Sequence, residues 1–118
     1  MQPGTILKKK REFQAVLAKG KRVAGEHFYL VLFPQGQSAN VRLGISLKRS
    51  VGSAVARNRS KRLMREAFRL HGRKLLPGTD AVAVIVRDLS RLKLKDVEEG
   101  LCDLIGRARS GASKAGGA

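Results

Sequence analysis

Residues 54–69 read AVARNRSKRLMREAFR, and their spacing predicts one long helix with two unlike faces. At about 100° per residue, Arg57, Lys61, Arg65 and Arg69 advance by only about 40° each, with Asn58 and Arg62 beside them. They form a cationic ridge. The opposite arc carries Ala56, Leu63, Ala67 and Leu70, with Met64 at its margin, and is expected to pack on a sheet. Phe68 lies between the arcs and reads as a core-edge residue rather than a base-stacking one. Ser50 or Ser53 can cap the start of the helix, and His71-Gly72 followed by Pro77 suits its end.

Between Lys48 and Arg73 there are nine basic residues and a single acid, Glu66. A merely solvated helix would interleave Glu and Lys at i, i+4, whereas each like-charged pair here costs the isolated helix about 0.2–0.5 kcal/mol. A bound polyanion reverses that cost. The abundance of Arg favours phosphate, because a planar guanidinium offers forked donors to two oxygens where an ammonium acts as a point charge.

The same bias extends over the first two thirds of the chain. Of 118 residues, 25 are Lys or Arg and 9 are Asp or Glu, for a net charge of +16. Residues 1–79 hold 18 basic and 3 acidic side chains, and residues 80–118 hold 7 and 6. Nucleic acid is the leading partner for so cationic a surface. An interfacial membrane helix would set bulky apolar residues, usually with Trp, opposite its basic face, and the chain has no Trp. The longest apolar run, Ala81 to Val86, is far below the roughly 18 residues of a membrane span. A start without a signal-like apolar stretch and a single Cys102 suggest a reducing, cytoplasmic setting.

On either side of the long helix the chain alternates strands and helices. Phe13, Val16 and Leu17 recur at helical spacing within Lys9 to Ala18, ahead of Gly20. Phe28 to Phe33 (FYLVLF) and Val41 to Leu47 (VRLGISL) read as strands, with Val23 and Ala24 as a short one before them. Asp80 to Arg87 (DAVAVIVR) suits a strand buried on both faces. Leu94, Val97, Leu101, Leu104, Ile105 and Ala108 predict a final amphipathic helix despite Gly100. The expected fold is α+β: one mixed four-stranded sheet with three helices, in the order α-β-β-β-α-β-α. A single RNA-binding domain is expected over residues 1–109, with a disordered Gly-rich tail at 110–118.

The stretch from Ala54 to Arg69 closely resembles the A-x-x-R-N-R-x-K-R-x-x-R-E-x-F-R signature of the bacterial ribonuclease P protein family. The setting agrees: Gly44-Ile45-Ser46 ends the preceding strand, a basic pair and Gly52 follow, and the Phe13 helix lies upstream. The resemblance runs from about Lys8 to Arg109. It implies a protein subunit of the ribonucleoprotein that removes the 5′ leader of precursor tRNA, with catalysis carried by the RNA subunit. It also implies a left-handed β-α-β crossover from Val41–Leu47 through the long helix to Asp80–Arg87, contrary to the usual hand. Contacts to the catalytic RNA are carried over onto Lys48, Arg49, Arg57, Asn58, Arg59, Lys61, Arg62, Arg65 and Arg69. A leader-binding cleft between the first helix and one sheet face falls on Phe13, Leu17 and Val31. Tyr29 shares the sheet face of Val31 by period-two alternation, and extended RNA can stack on such aromatics. Two positions depart from the family: Leu17 and Val31 stand where aromatics are common, and Ser50 replaces a second Lys after Arg49.

No catalytic residue and no metal site is expected in the chain. His27 and His71 lie in no acid–base motif, the carboxylates after residue 79 are scattered, and Cys102 lacks zinc-ligand partners. Mg²⁺ is expected at the RNA subunit, with no cofactor held by the protein. The expected partners are ribonuclease P RNA and precursor tRNA, with no membrane and no obligate protein partner. The rival reading is a ribosomal protein or general RNA chaperone, whose charge and fold would look much the same.

Overall fold

The computed structural model describes residues 5–6, 10–34, 41–75 and 78–109. Five strands form one mixed sheet in the order β1-β4-β5-β3-β2. They are β1 (Thr5–Ile6), β2 (Lys21–Ala24), β3 (Phe28–Pro34), β4 (Arg42–Leu47) and β5 (Thr79–Ile85). The helices are α1 (Lys10–Lys19), α2 (Ala54–His71) and α3 (Leu94–Arg109). The four expected strands and three helices appear in the expected order, and β1 adds a two-residue parallel partner to β4 at the sheet edge. The tail assigned to 110–118 lies outside the described residues.

β5 occupies the middle because its sequence can be buried from both sides: all seven of its residues are buried. It pairs antiparallel with β3 and parallel with β4. The parallel pair needs a crossover, and α2 supplies it. β5 stops at Ile85, short of the sequence expectation, because the amides of Val86 and Arg87 both donate to the His27 carbonyl. β2 begins two residues earlier than its apolar pair suggests. Lys21 and Arg22 are exposed there on an edge strand, which carries little hydrophobic signal.

The period-two alternation divides the core between the two sheet faces. Leu30, Leu32, Ala81, Ala83, Ile85 and Leu43 face α2 and α3, meeting Met64, Ala67, Phe68, Leu101 and Leu104. Val31, Val82 and Val84 face the other way, where Val16 of α1 covers them. Phe68 is therefore a core residue, as expected. The buried stripe of α2 is rotated from the expected arc, however, and runs through Ala56, Ser60, Met64, Ala67 and Phe68. Leu70 is 40% exposed and Leu63 is only half-buried. The cause is α3, which packs beside α2, so that burial follows the angle between sheet and neighbouring helix rather than the apolar arc alone.

Candidate nucleic-acid interfaces

Ser53, not Ser50, caps α2: its side chain accepts from the Ala56 amide at 3.2 Å. Gly52 precedes it at φ 108°, a left-handed conformation that a Cβ disfavours although the space around it is open. Ser50 instead donates to the Val86 carbonyl at 2.8 Å, and the Lys48 amide donates to the Ile85 carbonyl at 3.0 Å. These bonds fix the short 3₁₀ turn at Arg49–Val51 against the end of β5 and leave Lys48 and Arg49 exposed.

From this anchored start, α2 displays its cations in four different situations. Asn58, Arg62 and Arg65 are exposed, and Lys61 is half-buried. Arg57 donates through Nη1 to the Lys48 carbonyl at 3.1 Å, so it braces the preceding loop while lying on the same ridge. Arg69 pairs with Glu66 through two guanidinium nitrogens, Nε at 3.0 Å from Oε1. That hydrogen bond, together with the charge of Arg69, holds the Glu66 carboxyl below the usual carboxylate range. Arg59 points elsewhere: its Nε donates to the Ser90 carbonyl at 2.9 Å, strapping α2 to the loop between β5 and α3.

The rest of that strap escaped the sequence reading. Buried Ser60 accepts from the Leu89 amide at 3.0 Å, and Asp88 accepts from the Ser90 amide at 2.7 Å. Hydrogen bonds from the Ser90 hydroxyl and amide hold the Asp88 carboxyl below its ordinary range, with Arg91 adding to the effect. The only advance signal was a serine on the apolar side of a helix, which could equally have been neutral packing.

The second surface lies across the sheet. Phe13, Tyr29, Phe33 and Val86 are partly buried around the Val16, Val31, Val82 and Val84 cluster. The Phe13 ring rests on Gly44, where an added Cβ would come within 2.6 Å of Cζ. Leu17 is 44% exposed on the outside of α1. Val31 is not available as a contact surface: it is 3% exposed, because Val16 of α1 lies over its strand. Tyr29 is half-buried, and the Arg22 guanidinium sits 3.8 Å from its ring centroid. Arg22 was absent from the expected leader-binding set, yet it places a cation over an aromatic ring of this surface.

One end of this cleft is clamped by ions. Arg42 holds Asp80 through Nε and Nη2 at 2.8 and 2.7 Å and reaches Glu12 of α1 through Nη1 at 3.0 Å. The hydrogen bond to Asp80 dominates in raising the Arg42 pKa above its ordinary value, against the opposing effect of burial. His71 and Glu98 join α2 to α3 at 2.8 Å. Among the described residues, no group of three or more His, Cys, Asp or Glu could hold a metal ion, and no helix is long and apolar enough to cross a membrane.

A family model described as Ribonuclease P matches residues 1–109. The ribonuclease P protein component of Pelotomaculum thermopropionicum is 39% identical over 103 residues, covering 87% of this chain and 91% of the relative. That of Shouchella clausii is 38% identical over 103 residues, covering 87% and 84%. The solved RNase P protein from Thermotoga maritima aligns with a TM-score of 0.74 at 33% identity, covering 86% of this chain and 94% of that one. The protein from Staphylococcus aureus gives 0.75 at 29% identity, covering 87% and 94%.

Proposed function

Because the chain belongs to the ribonuclease P protein family, we propose that residues 1–109 act as one RNA-binding domain with two working surfaces on opposite sides of the sheet. The family is the protein component of an endoribonuclease ribonucleoprotein, and RNA binding and tRNA processing are its work. In this reading the chain partners the ribonuclease P RNA, which carries the chemistry of cutting away the 5′ leader in the cytoplasm.

The exposed side of α2 and the Lys48–Arg49 turn dock on the folded RNA subunit. Their guanidinium groups neutralise phosphates that would otherwise repel one another, and that neutralisation is the protein's contribution to assembly. The cleft beside Phe13, Tyr29 and Leu17 takes the single-stranded leader of precursor tRNA, one or two bases stacking while Arg22 faces a phosphate. In this reading Mg²⁺ acts at the RNA subunit, and no step is assigned to an ion on this chain.

The observation that carries this reading is the separation of the two surfaces: α1 covers one sheet face while α2 and α3 cover the other. One protein can thereby hold catalyst and substrate at once. The purified chain is expected to restore precursor-tRNA cleavage by a bacterial ribonuclease P RNA at low Mg²⁺. A general RNA chaperone or ribosomal protein would not do so in a leader-dependent way, and cleavage by the protein alone would mean a self-sufficient nuclease.

A further inference from the structure

In the antiparallel register of β2 and β3, Arg22 faces Val31 and Ala24 faces Tyr29. Residues opposite one another project from the same side of a sheet, so Arg22 is a diagonal neighbour of Tyr29 on the face that α1 partly covers. β2 is an edge strand, and Arg22 is exposed at the open margin of the cleft, while Val23 points the other way into the main core.

The Arg22 guanidinium carbon lies 3.8 Å from the centroid of the Tyr29 ring, which is van der Waals contact. No base fits between them. The ring also packs on the cluster of Val16, Val31, Val82 and Val84. Tyr29 therefore gives its covered face to a cation and not to a nucleobase. Leu17 has no ring to offer, and Val31 is hidden.

Other arginines of the chain commit their donors within the fold. Arg42 holds Asp80 and Glu12, Arg69 holds Glu66, and Arg57 and Arg59 hold backbone carbonyls. Among the described residues, the contact of Arg22 is the Tyr29 ring. A guanidinium resting on a ring keeps its N–H donors, which lie in its own plane, directed outward. Glu12 and Asp80, at the clamped end of the cleft, are already taken by Arg42. A planar fork without an acid partner complements two oxygens of one phosphate.

We propose that Tyr29 is a positioning residue and not a base platform: its ring props the Arg22 guanidinium so that the fork grips one leader phosphate, and the leader is held at that point whichever base it carries. The inference deepens, and rests on, the assignment of this cleft to the leader made above.

The test uses the holoenzyme of the full chain with a bacterial ribonuclease P RNA that it activates. Precursor tRNA carries a single neutral methylphosphonate linkage at one 2′-deoxy leader position after another, or a single abasic nucleotide, with the 2′-deoxy phosphodiester as reference. With the wild-type chain, one linkage should weaken binding about tenfold, the scale of losing a hydrogen bond to a charged group. Removing the base beside it should change little. With Arg22→Ala, binding should already be about tenfold weaker, that linkage should no longer matter, and the salt slope should fall by about 0.7. Tyr29→Leu should lose about threefold, on the scale of an exposed cation–π contact, and Tyr29→Phe, which keeps the ring, should recover wild-type binding. Thermal melting should leave Arg22→Ala close to wild type, because the side chain is exposed on an edge strand. A loss in Tyr29→Leu that exceeds that of Arg22→Ala or vanishes with one leader base overturns the inference, as does the lack of any linkage coupled to Arg22. Tighter wild-type binding of leader-bearing than of leaderless tRNA then still upholds the cleft. Equal binding of the two substrates overturns both.

Discussion

Arg42 and Asp80 are register partners on the parallel strands β4 and β5, and their side chains meet in a two-point ion pair with Asp80 only 2% exposed. The pair sits at the strand ends nearest α1, where the third guanidinium nitrogen takes up Glu12. One arginine thus ties the crossover to the helix that walls the cleft. Removing it withdraws the counter-charge from a buried carboxylate, so Arg42→Ala should destabilise the fold by about 3–5 kcal/mol. Urea unfolding measures this. Arg42→Lys should recover only part of the loss, because an ammonium cannot reproduce the two-point geometry.

Gly44 gives Phe13 its seat. A methyl group there would lie within 2.6 Å of the ring, so Gly44→Ala must move Phe13 off the sheet. Binding of precursor tRNA should then lose its dependence on the leader, by about tenfold in affinity if one stacked base is lost. Affinity for the RNA subunit should be unchanged. Paired titrations with leader-bearing and leaderless tRNA separate the two, and equal loss in both would contradict the assignment of the cleft.

The docking face should reveal itself through salt. If about six phosphates are neutralised, affinity for the RNA subunit should fall on the order of 10³-fold between 50 and 200 mM salt. Arg62→Ala with Arg65→Ala should weaken binding and flatten the slope by about two. These positions make a cleaner test than Arg57, whose loss would also release the Lys48 turn. An unaltered slope in the double variant would remove α2 from the interface.

Ser60 is a structural part of the signature helix. Its hydroxyl is the acceptor for the buried Leu89 amide, so Ser60→Ala should cost about 1–3 kcal/mol by leaving that donor unmet. Faster hydrogen exchange at Leu89 locates the loss. A stable variant with native exchange would show that the strap contributes nothing.

The same strap should respond to acid. The Asp88 carboxyl has its pKa lowered in the folded protein by the Ser90 hydrogen bonds. Its stabilisation is therefore complete above the unfolded value, about 4, and is lost as pH falls through the lower folded value. Melting temperatures of wild type and Asp88→Asn should differ at pH 7 and converge below that range. A gap that persists at low pH would mean that the carboxylate charge is not what holds the loop.

Much of this architecture was legible in residue spacing, and the reason differs from element to element. β5 announced itself because a central strand buried on both faces must be apolar throughout. Tyr29, Val31 and Phe33 were correctly placed on one face because alternation on a strand is rigidly geometric. The rotation of α2 was not legible: Leu70 is as apolar as Met64, and only the position of α3 leaves the first exposed and the second buried. Arg59 looked like its signature neighbours, but its partner lies 31 residues away, on a loop whose path no local pattern describes.

Local chemistry alone determined the strands, the helices, the cationic side of α2 and the family signature, because each follows from periodicity or side-chain type within a short window. The assembled fold decided which cations face solvent and which brace the chain, that Val31 is hidden, and that Arg42 clamps Asp80 to Glu12. Those outcomes depend on distances between segments far apart in the chain. Packing sets such distances for the whole molecule at once, and no single segment encodes them.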